Sequence, residues 1–486
     1  MIIRKADGDD KVYGDLGPYP IKDGSILVIG GPEAKAFDTL ADAYANETGA
    51  SGSFMPTDAA AIWIDKNTLV STARRNLVST GFARLYTGAD ADTITGRDAD
   101  GNLDGQYINL TAGSLTSDEA SAYPEFAAGV ESGEFMVWNI PDEDLDRAKG
   151  WLRKDLEFAG INEGNLLTQF SNVQPAGAID AFYGKQAYQN YSGRQLGAVA
   201  ENGQVTFRLW APTAQNVSVV LYGSDHQSAQ KEIPLTVDDT GMWSVSTADA
   251  KPNETYYKFK VRLFRPDDNK ITEYEVTDPY SLALSTNSQY SLVADLSSKD
   301  TKPAGWNDDY GTDSWPQKQN SGPALANMAI TEAHIRDLSV GKDKGVEDKY
   351  QGKYLFLSGD RAAASEIYGH LVDLAEAGMT HIEILPFFDF ATVNEKTDEN
   401  VDLTTTCDVA KTKISVECTE NTVGEQLAKL AREDVEKNDP SADDGHKVND
   451  FLGALKDKDC YNWGYDPWHY AVPEGSYSMN HNVRGN

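Results

Sequence analysis

Positions 461 to 478 read YNWGYDPWHYAVPEGSYS. Tyr461, Trp463, Tyr465, Trp468, His469, Tyr470 and Tyr477 alternate there with the polar Asn462 and Asp466. Gly464, Pro467, Pro473 and Gly475 interrupt the run, which reads as too broken for a helix or a central strand. Exposed loops carry function more often than core packing, so these rings are expected to line a cleft. Three ligand types suit such a surface. Nucleobases stack on aromatic rings, a protein partner buries Trp and Tyr, and a sugar lays its apolar C–H face on a ring. A purely structural aromatic cluster is the fourth reading. Asn462 and Asp466, placed to hydrogen-bond hydroxyls, suit the sugar best.

The bulk chemistry narrows the choice. The chain has 486 residues, 43 basic against 76 acidic, for a net charge of −33. A surface this negative repels nucleic acid and anionic lipid. No apolar run is long enough to span a membrane. The first residues, MIIRKADGDD, lack the apolar segment of a signal peptide, and the ends of the sequence read as those of a piece of a longer chain. Cys407 and Cys418 lie close together in a polar insertion, either as a small disulfide loop or as two free thiols, which leaves Cys460 as the odd one out. The histidines are scattered and no C-x-x-C occurs, which argues against zinc. DADGNLDGQY places Asp100, Asn102, Asp104 and Gly105 at calcium-loop spacing, but Thr111 stands where a bidentate carboxylate belongs, so a hairpin turn is the better reading.

The elements that must position the aromatic run are of two kinds. SILVIGG, AAIWIDKNTLV and GQYINLT read as strands, without a dinucleotide fingerprint after the first. From about 196 to 300 the period is two: Val205, Phe207 and Leu209, then Tyr257, Phe259, Val261 and Leu263, alternate with polar or amphipathic residues. That pattern indicates an antiparallel sandwich. A Gly/Pro-rich linker follows over 301–323. Beyond it, MAITEAHI and THIEILPFF are expected strands flanking a helix that sets Ile367, Leu371, Leu374 and Ala375 on one face and ends before Gly378. This is a β-α-β unit, the opening of a parallel α/β domain. A polar insertion over about 391–460 contains a helix opened by the capping pair Thr422 and Glu425, with Leu427 and Leu430 inside.

YNWGYDP followed by PEGSY resembles the signature of type I pullulanases, debranching members of the alpha-amylase superfamily. AHIRDLS (333–339) and GMTHIEILPFFDFATVNE (378–395) are similar to that family's first two barrel strands. VTFRLWAPTAQNVSVVLY and EVTDPYSLALSTNSQYS are similar to its early-set, starch-binding-like sandwich. The resemblance implies a multi-domain chain. Residues 1–30 would be the remnant of a carbohydrate-binding module, 31–195 a β-rich extra domain, 196–300 the sandwich, 301–323 the linker and 324–486 an incomplete (β/α)8 barrel. It further implies retaining hydrolysis of α-1,6-glucosidic branches by an Asp nucleophile and a Glu acid/base about 5–5.5 Å apart. A third Asp holds the distorted sugar.

The family carries those carboxylates in motifs resembling DVVYNH, GFRFDLMG and GEGW. None occurs in these 486 residues, so hydrolysis by this polypeptide alone is not expected. Tyr465 matches the tyrosine that stacks beneath the sugar, and Asn462, Trp463 and Asp466 match the surrounding motif. His334, Arg336 and Asp337 match a barrel strand and read as a bracing network, and Glu383 reads as structural. The expected partner is an α-glucan, with no nucleic acid and no membrane span. Calcium occurs in some relatives, but no complete ligand set is legible. A Cys407–Cys418 bridge fits the secreted members, implying a secreted or cell-surface location. An isoamylase or branching enzyme, or a non-catalytic glucan binder, is the alternative.

Overall fold

The computed structural model describes residues 26–30, 33–37, 60–72, 82–88, 105–161, 167–193, 195–224, 229–266, 270–299, 328–341, 345–358, 365–396, 398–437, 447–456, 458 and 462–479. The expected turn at 98–104, the linker at 301–323, Cys460 and Tyr461 lie outside the described residues.

Ile26–Gly30 pairs antiparallel with Glu33–Phe37. A closed barrel follows, built from Ala61–Trp63, Thr68–Thr72, Phe82–Thr87, Gln106–Ala112, Phe135–Asn139, Glu157–Ile161 and Leu167–Gln174. Its interior is filled by Trp63, Leu69, Leu85, Ile108, Trp138 and Phe158. Closure leaves no free edge among these strands.

The alternating segment forms two antiparallel sheets face to face. Val205, Phe207 and Leu209 are buried on one sheet, and Tyr257, Phe259 and Val261 on the other. Phe207 meets Tyr257 edge-on at 4.9 Å and Phe259 at 6.5 Å, so these rings knit the sheets together. Trp210 packs against the barrel core, and Arg153 Nε donates to Pro212 O at 3.2 Å, which fixes the sandwich to the barrel.

Ile330–Ala333 and His381–Ile384 pair in parallel, with the Glu366–Glu376 helix between them in sequence. Ser365 caps that helix. Only Ile367 of its expected apolar face is buried; Leu371 and Leu374 are half-buried and Ala375 exposed, because nothing among the described residues covers them. Both strands are shorter than expected. The first stops at Ala333 because the His334 ring accepts from Asp337 N and opens a short Ile335–Ser339 helix, so Arg336 and Asp337 lie on helix. The second ends at Ile384, just before Pro386, and the chain resumes as Phe388–Phe390.

The aromatic run also departs from the loop expected of it. Residues 462–466 are loop, Pro467–Pro473 is a strand paired antiparallel with Phe388–Phe390, and Gly475–Tyr477 closes the run as a 3-10 turn. The two prolines sit at its ends and the ladder shifts register twice, which is how an edge ribbon tolerates them. In the insertion, Cys407 and Cys418 are joined by a disulfide within a small core that includes Val401, Ile414, Val423 and Phe451. The Val423–Lys437 helix starts at Thr422, whose hydroxyl accepts from Glu425 N, while the Glu425 carboxylate accepts from Asn421 N.

Candidate functional site

The loop at 462–466 is held from beneath. Gly464 has φ of 83°, and a Cβ there would come 2.7 Å from Pro386 O, so only glycine lets the loop lie on the end of the second parallel strand. Asn462 Oδ1 accepts from Gly464 N at 2.7 Å, and its amide donates to Thr392 Oγ1. That hydroxyl donates to Asp466 Oδ2 at 2.6 Å. His334, almost wholly buried, shares its Nε2–H between Asn462 O at 2.9 Å and the Tyr477 hydroxyl at 2.8 Å, the tautomer set by Asp337 N donating to Nδ1. Asn462, Asp466 and His334 therefore shape the loop.

What the loop presents outward is aromatic. Trp463 is 53% exposed and Tyr465 68%. Tyr465 makes no hydrogen bond or ring contact among the described residues. Trp463 walls a cleft of about 340 Å³ together with Glu332, His334, Asp337, Ile367 and Leu385. Neither ring is packed in apolar interior. Glu383 is exposed on its strand.

Behind the loop lies a group that the sequence did not single out. Asp389, Glu395 and Glu474 are buried, with oxygens within 4.8 Å of one another. Asp389 Oδ2 accepts from His469 Nδ1 at 2.6 Å, and Oδ1 accepts from the Ser288 hydroxyl. Thr277 lies 2.9 Å from His469 Nε2. Glu474 accepts from Phe390 N at 3.2 Å and Ser476 N at 2.8 Å. Glu395 accepts from Asn287 N at 2.7 Å, and its own N–H donates to Asn287 Oδ1 at 2.8 Å. Thr277, Asn287 and Ser288 follow the last long sandwich strand, so this cluster is the clasp between sandwich and ribbon. Burial, then repulsion from neighbouring carboxylates, pushes both Glu395 and Glu474 up to about 7.

The trio is the candidate cation site among the described residues. Calcium takes six to eight oxygens. Here both oxygens of Asp389 and of Glu474 already face O–H or N–H donors, and the Glu395 carboxyl accepts from the backbone N–H of Asn287 and of Gly475. As arranged, the cluster suits protons and amide donors, and it does not fit calcium. The only sequence hint of it was acidic residues inside FDFATVNE and PEGSY, motifs noted for their resemblance.

The chain matches known proteins along nearly its whole length. Residues 58–181 match the Pullulanase N2 domain family, and 195–281 match carbohydrate-binding module 48, the isoamylase N-terminal domain. A pullulanase of Klebsiella pneumoniae is 34% identical over 98% of this chain, which spans 41% of that protein's length. The chloroplastic pullulanase 1 of Arabidopsis thaliana is 28% identical over 76% of this chain and 33% of its own length. The crystal structure of apo pullulanase from Klebsiella pneumoniae superposes with a TM-score of 0.72 at 33% identity, covering 88% of this chain and 44% of that one. The chain is thus a pullulanase homologue that spans less than half the length of these relatives.

Proposed function

We propose that this pullulanase homologue supplies the glucan-facing N-terminal share of a retaining debranching hydrolase, acting on α-1,6-glucosidic linkages in pullulan, amylopectin and related α-glucans. One observation carries the reading: the similarity to the Klebsiella pullulanase runs through 98% of the chain, including the loop that exposes Trp463 and Tyr465. These rings serve as the floor for glucose units. The described parallel pair is the start of a (β/α)8 barrel, whose site is assembled from several strand ends. The Asp and Glu that break the bond belong to later strands. Solved relatives include a Klebsiella pneumoniae pullulanase complexed with maltotriose, which supports an α-glucan as ligand. The disulfide Cys407–Cys418 supports a secreted or cell-surface location, where such bonds persist.

The second reading is a non-catalytic α-glucan binder, favoured by the lack of the family's catalytic motifs in these 486 residues. Pullulan digestion separates the two. Protein expressed from the complete reading frame is expected to release reducing ends from pullulan, and the 486-residue chain alone to release none. A complete reading frame whose product binds maltotriose without cutting pullulan would establish the binder instead.

A further inference from the structure

A second cleft, of about 230 Å³, shares no lining residue with the one walled by Trp463. One wall comes from the sandwich, through Asn287 and Ser288, and the rest from the ribbon and the segment after it. Trp468 is 50% exposed on this cleft. Its ring stacks on His469 at 5.6 Å and 23°. His469 is itself pinned between Asp389 and Thr277, so the indole is backed by a fixed, buried neighbour.

The rest of the lining sets the polar Asn287, Thr392, Asn394 and Glu395 beside the apolar Phe390 and Val393. Asn287 and Ser288 both hold left-handed backbone, φ 55° and 51°, a conformation that costs non-glycine residues of order 1–3 kcal/mol and concentrates at functional sites. The strained pair is clasped by Asn394, whose Oδ1 accepts from the Asn287 amide at 2.9 Å, and by Glu395. No lysine or arginine lines the cleft, so nothing there would hold a phosphate or carboxylate. An exposed aromatic ring in a cleft bordered by hydroxyl and amide side chains suits a neutral polyhydroxyl ring. The volume admits one such ring, below the range of pockets for larger ligands.

We infer that this cleft is an accessory subsite for a single glucose unit of an α-glucan, stacked on Trp468 where the sandwich meets the ribbon. It rests on the α-glucan reading above. Its consequence is that the sandwich contributes to glucan capture through its contact with the next domain, by way of Asn287.

Calorimetric titration of the 486-residue chain with maltotriose tests it. A background lacking the first floor, Trp463→Ala with Tyr465→Ala, is expected to keep saturable binding. Adding Trp468→Ala should weaken that residual binding about tenfold, the upper range for an aromatic contact. Trp468→Phe should keep it within a few-fold. Ala391→Trp fills the cleft without removing the indole and should abolish it, which keeps the test decisive if Trp468→Ala fails to fold. Residual binding indifferent to both Trp468→Ala and Ala391→Trp would overturn the subsite and leave the α-glucan reading standing. Complete loss of binding in the Trp463/Tyr465 background would also overturn it. A parent chain that binds no maltotriose would remove the subsite and the glucan floor together.

Discussion

Replacing Glu395 with glutamine should change how the sandwich–ribbon clasp responds to pH, and the structure sets the size of the change. In the folded chain the Glu395 carboxyl is raised from an ordinary 4.5 to about 7, first by burial and then by the charges of Glu474 and Asp389. Glu474 is raised to about 7 in the same way. A carboxyl whose folded pKa is raised contributes stability that is full below about 4.5 and is lost as pH climbs through about 7. Lifting one carboxyl from 4.5 to about 7 corresponds to about 3 kcal/mol. The pair is coupled, so the loss for the two is of that order and not twice it.

Glutamine does not titrate. It keeps one oxygen to accept from Asn287 N, but turns the other acceptor into an N–H₂ group, costing about 1–3 kcal/mol. Glu395→Gln should therefore be less stable than the parent near pH 5, and equal to it or more stable near pH 8. Asp278, raised to about 6 by burial, titrates in the same direction in both proteins and cancels in the difference. Amide hydrogen exchange in peptides covering 387–396, corrected for intrinsic rates, measures opening of the clasp. Millimolar calcium at pH 7 should leave protection unchanged. Parallel pH profiles for the two proteins, or a large protection by calcium, would refute the proton-sharing account.

Three further outcomes follow from the geometry. Gly464→Ala forces a Cβ toward Pro386 O from a left-handed backbone and should weaken maltotriose binding at least tenfold while far-UV circular dichroism stays the same. Reducing the Cys407–Cys418 bond, or replacing both cysteines with alanine, should cost about 2–4 kcal/mol in the insertion, read as faster limited proteolysis between 398 and 437, with the sandwich unaffected. Phe207→Ala opens a void where three rings meet and should destabilise the sandwich by about 3–5 kcal/mol, measured as a lower denaturant midpoint.

The sandwich was the most legible part of the chain. Val205, Phe207 and Leu209 declare their face by alternation alone, because a strand with one side in water must alternate. The β-α-β unit was legible too, through the apolar spacing of Ile367, Leu371 and Leu374 and the stop at Gly378. Its strand ends were not, because they depend on groups distant in sequence: Ala333 is the last strand residue only because His334 caps a turn and reaches Asn462. The run from Pro467 to Pro473 read as loop because proline normally vetoes a strand. It forms one here as half of a two-stranded ribbon with an irregular ladder.

The exposed rings of the site could be anticipated from residue type. The buried carboxyl cluster could not: Asp389, Glu395 and Glu474 meet only when the ribbon pairs, and no local period records that meeting. Asn462 and Asp466, expected to face the sugar, are placed with side-chain oxygens on Gly464 N and the Thr392 hydroxyl. A polar residue's type does not say whether it serves the ligand or the loop.

Tyr465, with Trp463 beside it, is proposed as a stacking floor for glucose units. Calorimetric titration of maltotriose into the 486-residue chain and its Tyr465→Ala variant measures this directly. Affinity should fall several-fold to about tenfold for the Tyr465 component, with the protein still folded. Equal affinities in the two proteins would contradict it.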